Sequence, residues 1–527
     1  MSEIRENSDI RRQIINTFKL CGYTIRSGSS DFLVAELDNM YPEDRRKILD
    51  EMCDHIQRQG LSAPVVEQHH LELAFRESQN YGLNESETVF SVIDNIFTIP
   101  SFIYDCERKK FLLDTKARSL LADPGAKAEC LRNRYYMLWQ RTARHEMFAK
   151  SALDQNPTGF TLRRVENILC TSKMRDVVTL GMFTQFGDGK FHVEDPTGTI
   201  PLDLTEAKMH SGLFCDGCFV LVQGKYTDGV LKVTSLGFPP SEAATSSRAY
   251  FGTANTWGGR SKSLLKYSQR LKTVELTDTE ATIIFLSDCW LDDATVMQKL
   301  RVLFEGYDDS PPVAIVLMGP FTRNPEHYRL LKEKFTELAN IIAQCPSIMA
   351  KTDVVLVPAV DDPPTSNILP RPALPDFLVA ELRRKVPRVI AATNPCRLQY
   401  CTQQITIFRM DLVTKLCRNA IRFPESGPIE EHVARTLVCQ GSLAPMHMNV
   451  MPILWHYDAA LSLYPLPDLV VLGDSSKSFS TQLQSCTILN VGSFAKSNFS
   501  FKVYVPHNRT VEDSMIPSED SLTEDQA

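Results

Sequence analysis

Polar residues follow five apolar runs in the C-terminal half of the sequence. The runs span 283–286, 313–318, 354–357, 389–392 and 469–472. If they are strands of an α/β sheet, the loops after their carboxyl ends converge at one edge. Carboxylates gathered there could hold two divalent cations that activate water for phosphate ester hydrolysis. The residues to examine at this edge are Asp288, Trp290, Gly319, Pro320, Arg323, Asp361, Asp362, Asn394, Gly473, Asp474, Ser475 and Ser476.

The order of these loops resembles that of the calcineurin-type metallophosphoesterases. The motifs of that family are Asp-x-His, Gly-Asp-x-x-Asp, Gly-Asn-His-Asp/Glu, a lone His and Gly-His-x-His. This sequence keeps Asp288 but has Trp290 at the place of the first histidine. Pro320 and Arg323 replace two metal-binding aspartates, and residues 473–476 read Gly-Asp-Ser-Ser where two histidines belong. Because an indole cannot ligate a cation and a guanidinium repels one, the resemblance implies an inactive phosphoesterase-like domain without metal, cofactor or catalytic residues.

A working phosphodiesterase or nuclease with a relocated metal site remains an alternative. The adjacent acids Asp361 and Asp362, and likewise 292–293, could act as general acid and base. Adjacent acids in loops are more often solvated turns or helix caps. The histidines of this region are expected in helical or connecting segments rather than at strand ends, and they are His327, His432, His447 and His456.

Amphipathic helices are predicted between the apolar runs, at 296–304, 328–342 and 412–421. Continuous apolar strands that alternate with such helices indicate an α/β sandwich covered on both faces. We assign this domain to residues 281–511. The fold class is therefore multi-domain, with α+β and α/β parts.

Five short strands are predicted just before this domain, at 177–183, 191–194, 199–204, 218–224 and 230–233. The turn residues 195–198 and the pair Asp228-Gly229 separate them. Five strands in so short a stretch indicate an OB-fold barrel at residues 161–240.

Such a barrel could bind single-stranded DNA through aromatic side chains beside a basic groove. The candidates are Phe183, Phe191, Phe219, Tyr226, Lys190 and Lys225. Core packing explains alternating strand aromatics equally well, and the acids of the same segment oppose a basic groove. Binding of single strands is therefore kept as an alternative function.

The remaining segments are assigned by spacing and composition. Residues 1–75 form a predicted helical domain, and 76–160 a linker with a strand pair at 102–113 and a helix at 130–147. Residues 241–280 are a connector, and 512–527 are predicted to be a disordered acidic tail.

Composition excludes several classes of protein. The net charge of −7 argues against a protein whose affinity comes from neutralising many phosphates of a duplex. No apolar run is long enough to span a bilayer, and the first thirty residues lack the apolar stretch of a signal peptide. The 14 cysteines are scattered, which indicates reduced thiols. The pair Cys215 and Cys218 lacks the further ligands that a zinc site needs.

Longer strings resemble the B subunits of replicative DNA polymerases, of the polymerase epsilon type. They include 193–198, 209–213, 285–288, 368–372, 393–401, 464–469, 492–494, 499–503 and 510–514. The resemblance is densest from residue 160 to 514. It implies a non-catalytic accessory subunit in the nucleus that acts in chromosomal DNA replication, with a lid-like N-terminal domain similar to that of AAA+ proteins.

The same resemblance implies the partners. They are the zinc-containing C-terminal region of the catalytic subunit and components of the replicative helicase, with weak or indirect contact to DNA. Large aromatic and arginine side chains dominate most interfaces. By residue type alone, the candidates for partner binding are Trp290, Phe321, Arg323, Tyr400 and Trp455.

Overall fold

The computed structural model describes residues 2–37, 45, 48–49, 52–53, 56, 65–79, 88–149, 160–252, 254–259, 265–323, 328–364 and 367–517. The chain divides into two units. One consists of residues 1–88, 249–255 and 260–264, and the other of 89–248, 256–259 and 265–527. None of the described helices combines the length and apolar content needed to cross a membrane.

The N-terminal unit is built mainly from helices, as the helical spacing of its apolar residues predicts. Its elements in the described residues are α1 (Ser2–Leu20), β1 (Thr24–Ile25), α2 (Ser27–Leu37), β2 (Val65–Val66) and α3 (Gln68–Gln79). Residues Ile10, Ile14 and Phe18 recur every four positions, so they lie on one face of α1, and all three are buried. They share a core with Leu33 and Leu71.

The second unit begins with three short strands and a long helix. These are β3 (Phe90–Ile93), β4 (Phe102–Asp105), β5 (Lys110–Leu113) and α4 (Pro124–Arg144). Strands β4 and β5 form the predicted antiparallel pair. Helix α4 lies earlier in the chain than predicted. It starts at Pro124 because the Asp123 carboxylate caps it by accepting from the Gly125 N–H at 2.8 Å and proline suits a first turn.

The next segment forms a barrel. Its elements are β6 (Leu162–Arg163), α5 (Val165–Leu169), β7 (Lys173–Gly187), β8 (Lys190–Asp195), β9 (Gly198–Asp203), β10 (Lys208–Met209), β11 (Phe219–Thr227) and β12 (Val230–Gly237). All five predicted strands form. The strand order is β10-β12-β11-β7-β8-β9, and the pairing of β12 with β9 closes the barrel. The OB-type barrel that the strand spacing predicts is therefore present.

The remainder of the second unit is an α/β sandwich. Its helices are α6 (Ala244–Arg248), α7 (Gln269–Thr277), α8 (Ala294–Gly306), α9 (Tyr328–Ile342), α10 (Pro346–Lys351), α11 (Asp376–Lys385), α12 (Leu412–Asn419) and α13 (Ile429–Gln440). Its further strands are β13 (Ile283–Leu286), β14 (Ala314–Met318), β15 (Asp353–Val357), β16 (Val389–Ala391), β17 (Cys396–Tyr400), β18 (Gln403–Phe408), β19 (Leu469–Leu472), β20 (Phe479–Leu483), β21 (Cys486–Asn490), β22 (Ser500–Val505) and β23 (Thr510–Met515).

In the described residues these strands form two six-stranded sheets. The first has the order β16-β15-β14-β13-β22-β23, and the second has the order β20-β21-β19-β18-β17-β3. The apolar core between them includes Phe285, Val316, Leu398 and Val471. Helices α8, α9 and α11 cover the outer face of the first sheet, while α12 and α13 cover the second. Four of the five predicted apolar runs lie in the first sheet, and 469–472 lies in the second.

Helix α13 also holds the barrel against the second sheet. The Gln440 side chain accepts from the Phe219 N–H at 2.8 Å and donates to the Phe219 carbonyl at 2.7 Å. One turn earlier, the Thr436 hydroxyl accepts from the Leu213 N–H at 2.9 Å. Because all these groups are buried, an unsatisfied one would be costly. The barrel and the sandwich therefore form one unit.

Three predicted segments differ from the structure. The expected acidic tail is a strand at its start, because β23 pairs with β22 through residues 510–515, and 518–527 lie outside the described residues. The expected linker supplies β3, an edge strand of the second sheet. The expected connector contains helices α6 and α7. The hairpin with β22 decides the structure of the first segment, and pairing with the distant strand β17 decides that of β3; local composition shows neither.

The close approach of barrel and sandwich predicts a steric effect at Gly217. A Cβ atom there would lie 2.4 Å from the His447 backbone nitrogen, and the φ of this glycine is +87°. Gly217→Ala should therefore lower the free energy of unfolding by about 2–4 kcal/mol, measured by urea denaturation.

Gly229→Ala is the matched control, since Gly229 has the same φ of +87° but open space around it. This variant should lower the free energy of unfolding by about 1–2 kcal/mol, because only backbone strain opposes it. Equal losses in the two variants would contradict the described docking of barrel and sandwich.

Candidate functional site

The predicted site residues meet where the two sheets end. Gly319 directly follows β14, Gly473 directly follows β19, and Asp288 lies two residues after β13. Strands β13, β14 and β15 are parallel neighbours, so their carboxyl ends point the same way. The structure thus brings the loops of both sheets together, as expected from the strand order.

A buried arginine, Arg409, occupies the centre of this edge. Its Nη2 donates to Asp288 Oδ1 at 2.6 Å, and its Nη1 donates to the Gly473 carbonyl at 2.6 Å. Its Nε donates to the Gly319 carbonyl. The Arg409 side chain is only 6% exposed and that of Asp288 3%. One guanidinium therefore bridges the first and second sheets at the place where the phosphoesterase resemblance puts the metal ligands.

The electrostatics of the site favour a fixed positive charge on this side chain. Burial alone lowers the pKa of the Arg409 guanidinium, but the nearby carboxylates of Asp288 and Asp411 outweigh burial and raise it. Arg409 Nη1 lies 3.3 Å from Asp411 Oδ1. A buried charge is tolerated when it is paired and hydrogen-bonded, and both conditions hold here.

Two glycines at the edge are required by this packing. A Cβ atom on Gly473 would lie 2.8 Å from Arg409 Cδ and 2.8 Å from Met318 Sδ. A Cβ atom on Gly319 would lie 1.8 Å from Asp362 Oδ2. These glycines, which the motif comparison singles out, make room for side chains of the protein itself.

The acids around Arg409 are used as acceptors for backbone N–H groups. Asp362 accepts from Phe321 and Ala359, both at 2.8 Å. Asp474 accepts from Val413, at the start of α12, and from Ser476, again at 2.8 Å. Burial raises the pKa values of both Asp362 and Asp474. These carboxylates hold loops together, and their oxygens are not arranged around a cation.

Asn394 completes the edge between β16 and β17. Its side-chain NH₂ donates to the carbonyls of Pro358 at 2.9 Å and Arg409 at 2.7 Å, and its Oδ1 accepts from the Arg409 N–H at 3.1 Å. Ser475 donates its N–H to Asp411 Oδ1 at 2.8 Å. Asp361, by contrast, is exposed. No group of three or more His, Cys, Asp or Glu side chains that could hold a metal ion occurs among the described residues.

Trp290 and Arg323 lie together at the rim of this edge. The Arg323 guanidinium is 5.9 Å from the centre of the Trp290 ring, and Lys496 Nζ is 5.3 Å from it. Arg323 also forms ion pairs with Asp292 and Asp293 at 3.5 and 3.4 Å. The Arg323 side chain is 53% exposed, while Trp290 is half-buried against the core under the first sheet.

Two residues proposed for partner binding are core residues instead. Phe321 is fully buried and packs against Phe335, with ring centres 5.3 Å apart. Tyr400 is fully buried between the sheets, and its hydroxyl donates to Asp278 at 3.1 Å. Residue type could not separate these aromatics from surface ones. Trp455 is half-buried at the start of a 3₁₀ helix, Trp455–Leu461.

The histidines and the cysteine pair make structural contacts. His432 Nδ1 accepts from the Gly212 N–H at 2.9 Å, and His447 and His456 also accept from backbone N–H groups. His327 lies outside the described residues. Cys215 and Cys218 are buried between barrel and sandwich, and Cys218 Sγ contacts the Pro445 carbonyl at 3.2 Å.

Sequence reasoning missed Arg409 as a site residue. It directly follows β18, so the rule that selected the other positions applies to it. That strand was not predicted, because its buried residues include Gln403, Gln404 and Thr406 and do not form an apolar run.

Comparison with known proteins gives matches along the chain. Residues 283–481 match the family model of the B subunit of DNA polymerases alpha and epsilon, residues 124–240 the model "DNA polymerase epsilon subunit 2-like, OB-fold domain", and residues 6–78 "DNA polymerases epsilon N terminal". The DNA polymerase epsilon subunit 2 of Drosophila melanogaster is 52% identical over 97% of this chain and 98% of its own length. This chain belongs to the DNA polymerase epsilon subunit 2 family.

More distant relatives agree. The human DNA polymerase epsilon subunit 2 is 41% identical over 96% of this chain and 98% of its own length. The probable DNA polymerase epsilon subunit 2 of Caenorhabditis elegans is 30% identical over 98% of this chain and 96% of its own. Family members are accessory B subunits that act in DNA replication and are not enzymes. The predicted family and the non-catalytic role are thus confirmed, and the alternative of an active phosphodiesterase is set aside.

Removal of Arg409 should destabilise the fold strongly. Arg409→Met would leave Asp288 buried without its cation, which costs about 3–5 kcal/mol. The free energy of unfolding, from urea titrations, should fall by this amount and recover in part when Asp288→Asn is added.

Arg384→Met provides the matched control, because it breaks one exposed ion pair, with Glu381, and should cost no more than about 1 kcal/mol. If Arg409→Met costs no more than this control, Arg409 does not join the two sheets as described.

Asp362 should give the fold a pH dependence. Burial raises the pKa of its carboxyl to about 6 in the folded protein. The folded state therefore binds this proton more tightly than the unfolded state does. Its contribution to stability is complete below about pH 4 and is lost as the pH rises through about 6. Relative to Asp362→Asn, the wild type should lose about 2 kcal/mol of unfolding free energy between pH 4 and 7.

Asp361→Asn is the control for this measurement, since Asp361 is the exposed neighbour of Asp362. A difference between wild type and Asp362→Asn that stays constant or grows with pH would contradict the prediction.

Proposed function

We propose that this chain is a scaffold that binds the zinc-containing C-terminal region of the polymerase epsilon catalytic subunit and helps connect it to the replicative helicase. The observation that carries the proposal is Arg409, whose guanidinium joins both sheets at the strand ends. Because Arg409 bonds to the loops of both sheets, these loops are held in place by a side chain of the protein and need no bound metal ion. Fixed loops suit a binding surface, because little conformational entropy is lost when a partner binds.

The rim formed by Trp290, Arg323 and Lys496 is the proposed contact surface on the sandwich. Tryptophan and arginine are the residue types that contribute most to interfaces. The Asp292 and Asp293 carboxylates hold Arg323 over the Trp290 ring, so the pair is already ordered before a partner arrives. Phe321 and Tyr400 are excluded from this surface by their burial.

The N-terminal unit is the proposed link to the helicase. Its helices bury their own core, and residues 6–78 match a model specific to polymerase epsilon. We infer from family membership that this unit resembles the lid of AAA+ proteins and that the protein is located in the nucleus.

Coexpression with the C-terminal region of an epsilon-type catalytic subunit should give a stoichiometric complex, measured by copurification and light scattering. Trp290→Ala combined with Arg323→Ala should weaken that complex at least tenfold in titration calorimetry, because it removes an aromatic and a cationic contact together.

Phe377→Ala combined with Arg383→Ala is the matched control. Phe377 is an exposed aromatic, and Arg383 is in an exposed ion pair with Asp376, both on α11. This control should bind like the wild type. Failure of the wild-type chain to copurify would overturn the scaffold role, whereas normal binding by the Trp290 variant would overturn only the choice of surface.

A further inference from the structure

The last ten residues of the sequence carry a concentrated negative charge. Residues 518–527 read Ser-Glu-Asp-Ser-Leu-Thr-Glu-Asp-Gln-Ala, with four acidic side chains and no lysine or arginine. The last described residue before them is Pro517, so the position and direction of the chain at Pro517 decide what these residues can reach. We call residues 518–527 the acidic tail.

The chain approaches the acidic tail along helix α8, in the direction of the start of that helix. Tyr307, which directly follows α8, contacts Phe501 with ring centres 6.3 Å apart, and Phe501 is the register partner of Ser514. Eight residues earlier in the sequence, Lys299 Nζ donates to the Pro517 carbonyl at 2.6 Å. From Ser514 to Pro517 the chain therefore advances along α8 by roughly 12 Å, at a helix rise of about 1.5 Å per residue.

The start of α8 leads to the rim of Trp290, Arg323 and Lys496. Phe499, whose ring centre lies 5.6 Å from Lys299 Nζ, packs on the same core as Trp290. Lys496 Nζ lies 5.3 Å from the centre of the Trp290 ring. An extended residue spans about 3.3 Å, so the tail can reach about 33 Å. The acidic tail is therefore long enough to lie along the start of α8 and over the rim.

The charges on this path favour an acidic segment. Asp292 and Asp293 lie just before α8, but both are already paired with Arg323, at 3.5 and 3.4 Å. Within the described part of the chain, Lys299 and Lys496 have no ion pair with a carboxylate. These five side chains together carry one net positive charge, and the amino end of the helix adds a partial positive charge.

We propose that the acidic tail folds back along α8 and binds Lys299 and Lys496 reversibly, so that it covers the rim at Trp290. Ion pairs between exposed side chains contribute little individually. The tail is tethered at Pro517, however, and a short tether gives an effective concentration in the millimolar range. A contact that is too weak to hold two separate molecules together is therefore populated within one chain.

A docked tail competes with any partner that binds the rim. Because this step rests on the proposed function, the competing partner is the C-terminal region of the catalytic subunit. Only molecules whose tail is open can bind that partner, so its apparent affinity falls in proportion to the open fraction. The acidic tail is then an autoinhibitory contact on the scaffold.

The first test uses the full chain alone. A water-soluble carbodiimide joins a carboxylate to an amine only when the two groups are in contact, and mass spectrometry locates the new amide bond. At low salt the acidic tail should be joined to Lys299 and Lys496. These cross-links should be lost at about 0.5 M salt, where the screening length is about 4 Å. Lys332 and Lys351 are exposed lysines elsewhere on the sandwich, so they are internal controls that should give no cross-link to the tail.

The second test uses a full chain with a neutral tail. Its substitutions are Glu519→Gln, Asp520→Asn, Glu524→Gln and Asp525→Asn. In titration calorimetry at low salt, this variant should bind the C-terminal region of the catalytic subunit about fivefold more tightly than the wild type, which corresponds to a tail that is docked about 80% of the time. The gain should disappear at about 0.5 M salt.

A matched control removes four negative charges from exposed positions of the barrel and the sandwich. Its substitutions are Asp188→Asn, Glu206→Gln, Glu280→Gln and Glu425→Gln. This control should bind like the wild type, because the net charge changes by the same amount while the tail is intact.

Each contrary result has its own meaning. Absence of cross-links from the tail to Lys299 and Lys496, or equal cross-linking to Lys332 and Lys351, would overturn the docking of the tail. Cross-links at the expected lysines together with equal affinities in the neutral-tail variant and the wild type would overturn the autoinhibition. A wild-type chain and a neutral-tail variant that both fail to bind the catalytic subunit would overturn the proposed function, while the cross-links would still decide whether the tail docks.

Discussion

The strand-end edge of the sandwich depends on the buried ion pair between Arg409 and Asp288. The Arg409 guanidinium also satisfies carbonyls at the ends of β14 and β19, so one side chain holds the loops of both sheets. A hydrolase would need metal ions at such an edge, and those ions exchange with solvent. Here the positive charge belongs to the chain itself and is present as soon as the domain folds.

This edge shapes the rest of the second unit. Because Asp362 and Asp474 accept hydrogen bonds from backbone N–H groups, the loops that would surround a substrate are tied to one another. Helix α13 lies on the outer face of the second sheet, and it contacts the barrel through Gln440 and His432. The barrel and the sandwich therefore form one compact unit. Such a unit offers an accessory subunit a fixed surface for binding other subunits.

Much of this fold could be predicted from the sequence. The five barrel strands and helix α9 have strong local patterns. Helix α9 has its predicted bounds and β8 and β9 lie within one residue of theirs, whereas β7, β11 and β12 extend three or four residues further. Strands β17 and β18 could not be found in this way. Their buried positions include Arg397, whose guanidinium donates to carbonyls of Trp257 and Ala459, residues distant in sequence. Local periodicity shows which residues are apolar, but it does not show which polar residues find buried partners.

The sequence by itself determined the family and the loss of the metal ligands, because both are matters of residue identity at given positions. Trp290, Pro320 and the 473–476 loop lack the metal-binding side chains of the motifs that they resemble. Only the tertiary structure decided what replaced that centre and which aromatics remain accessible. Arg409 reaches residues more than sixty positions away in sequence. Tyr400 is buried between the two sheets, and Phe321 is buried under the helices that cover the first sheet. Such contacts depend on chain topology, which residue types and spacing do not specify.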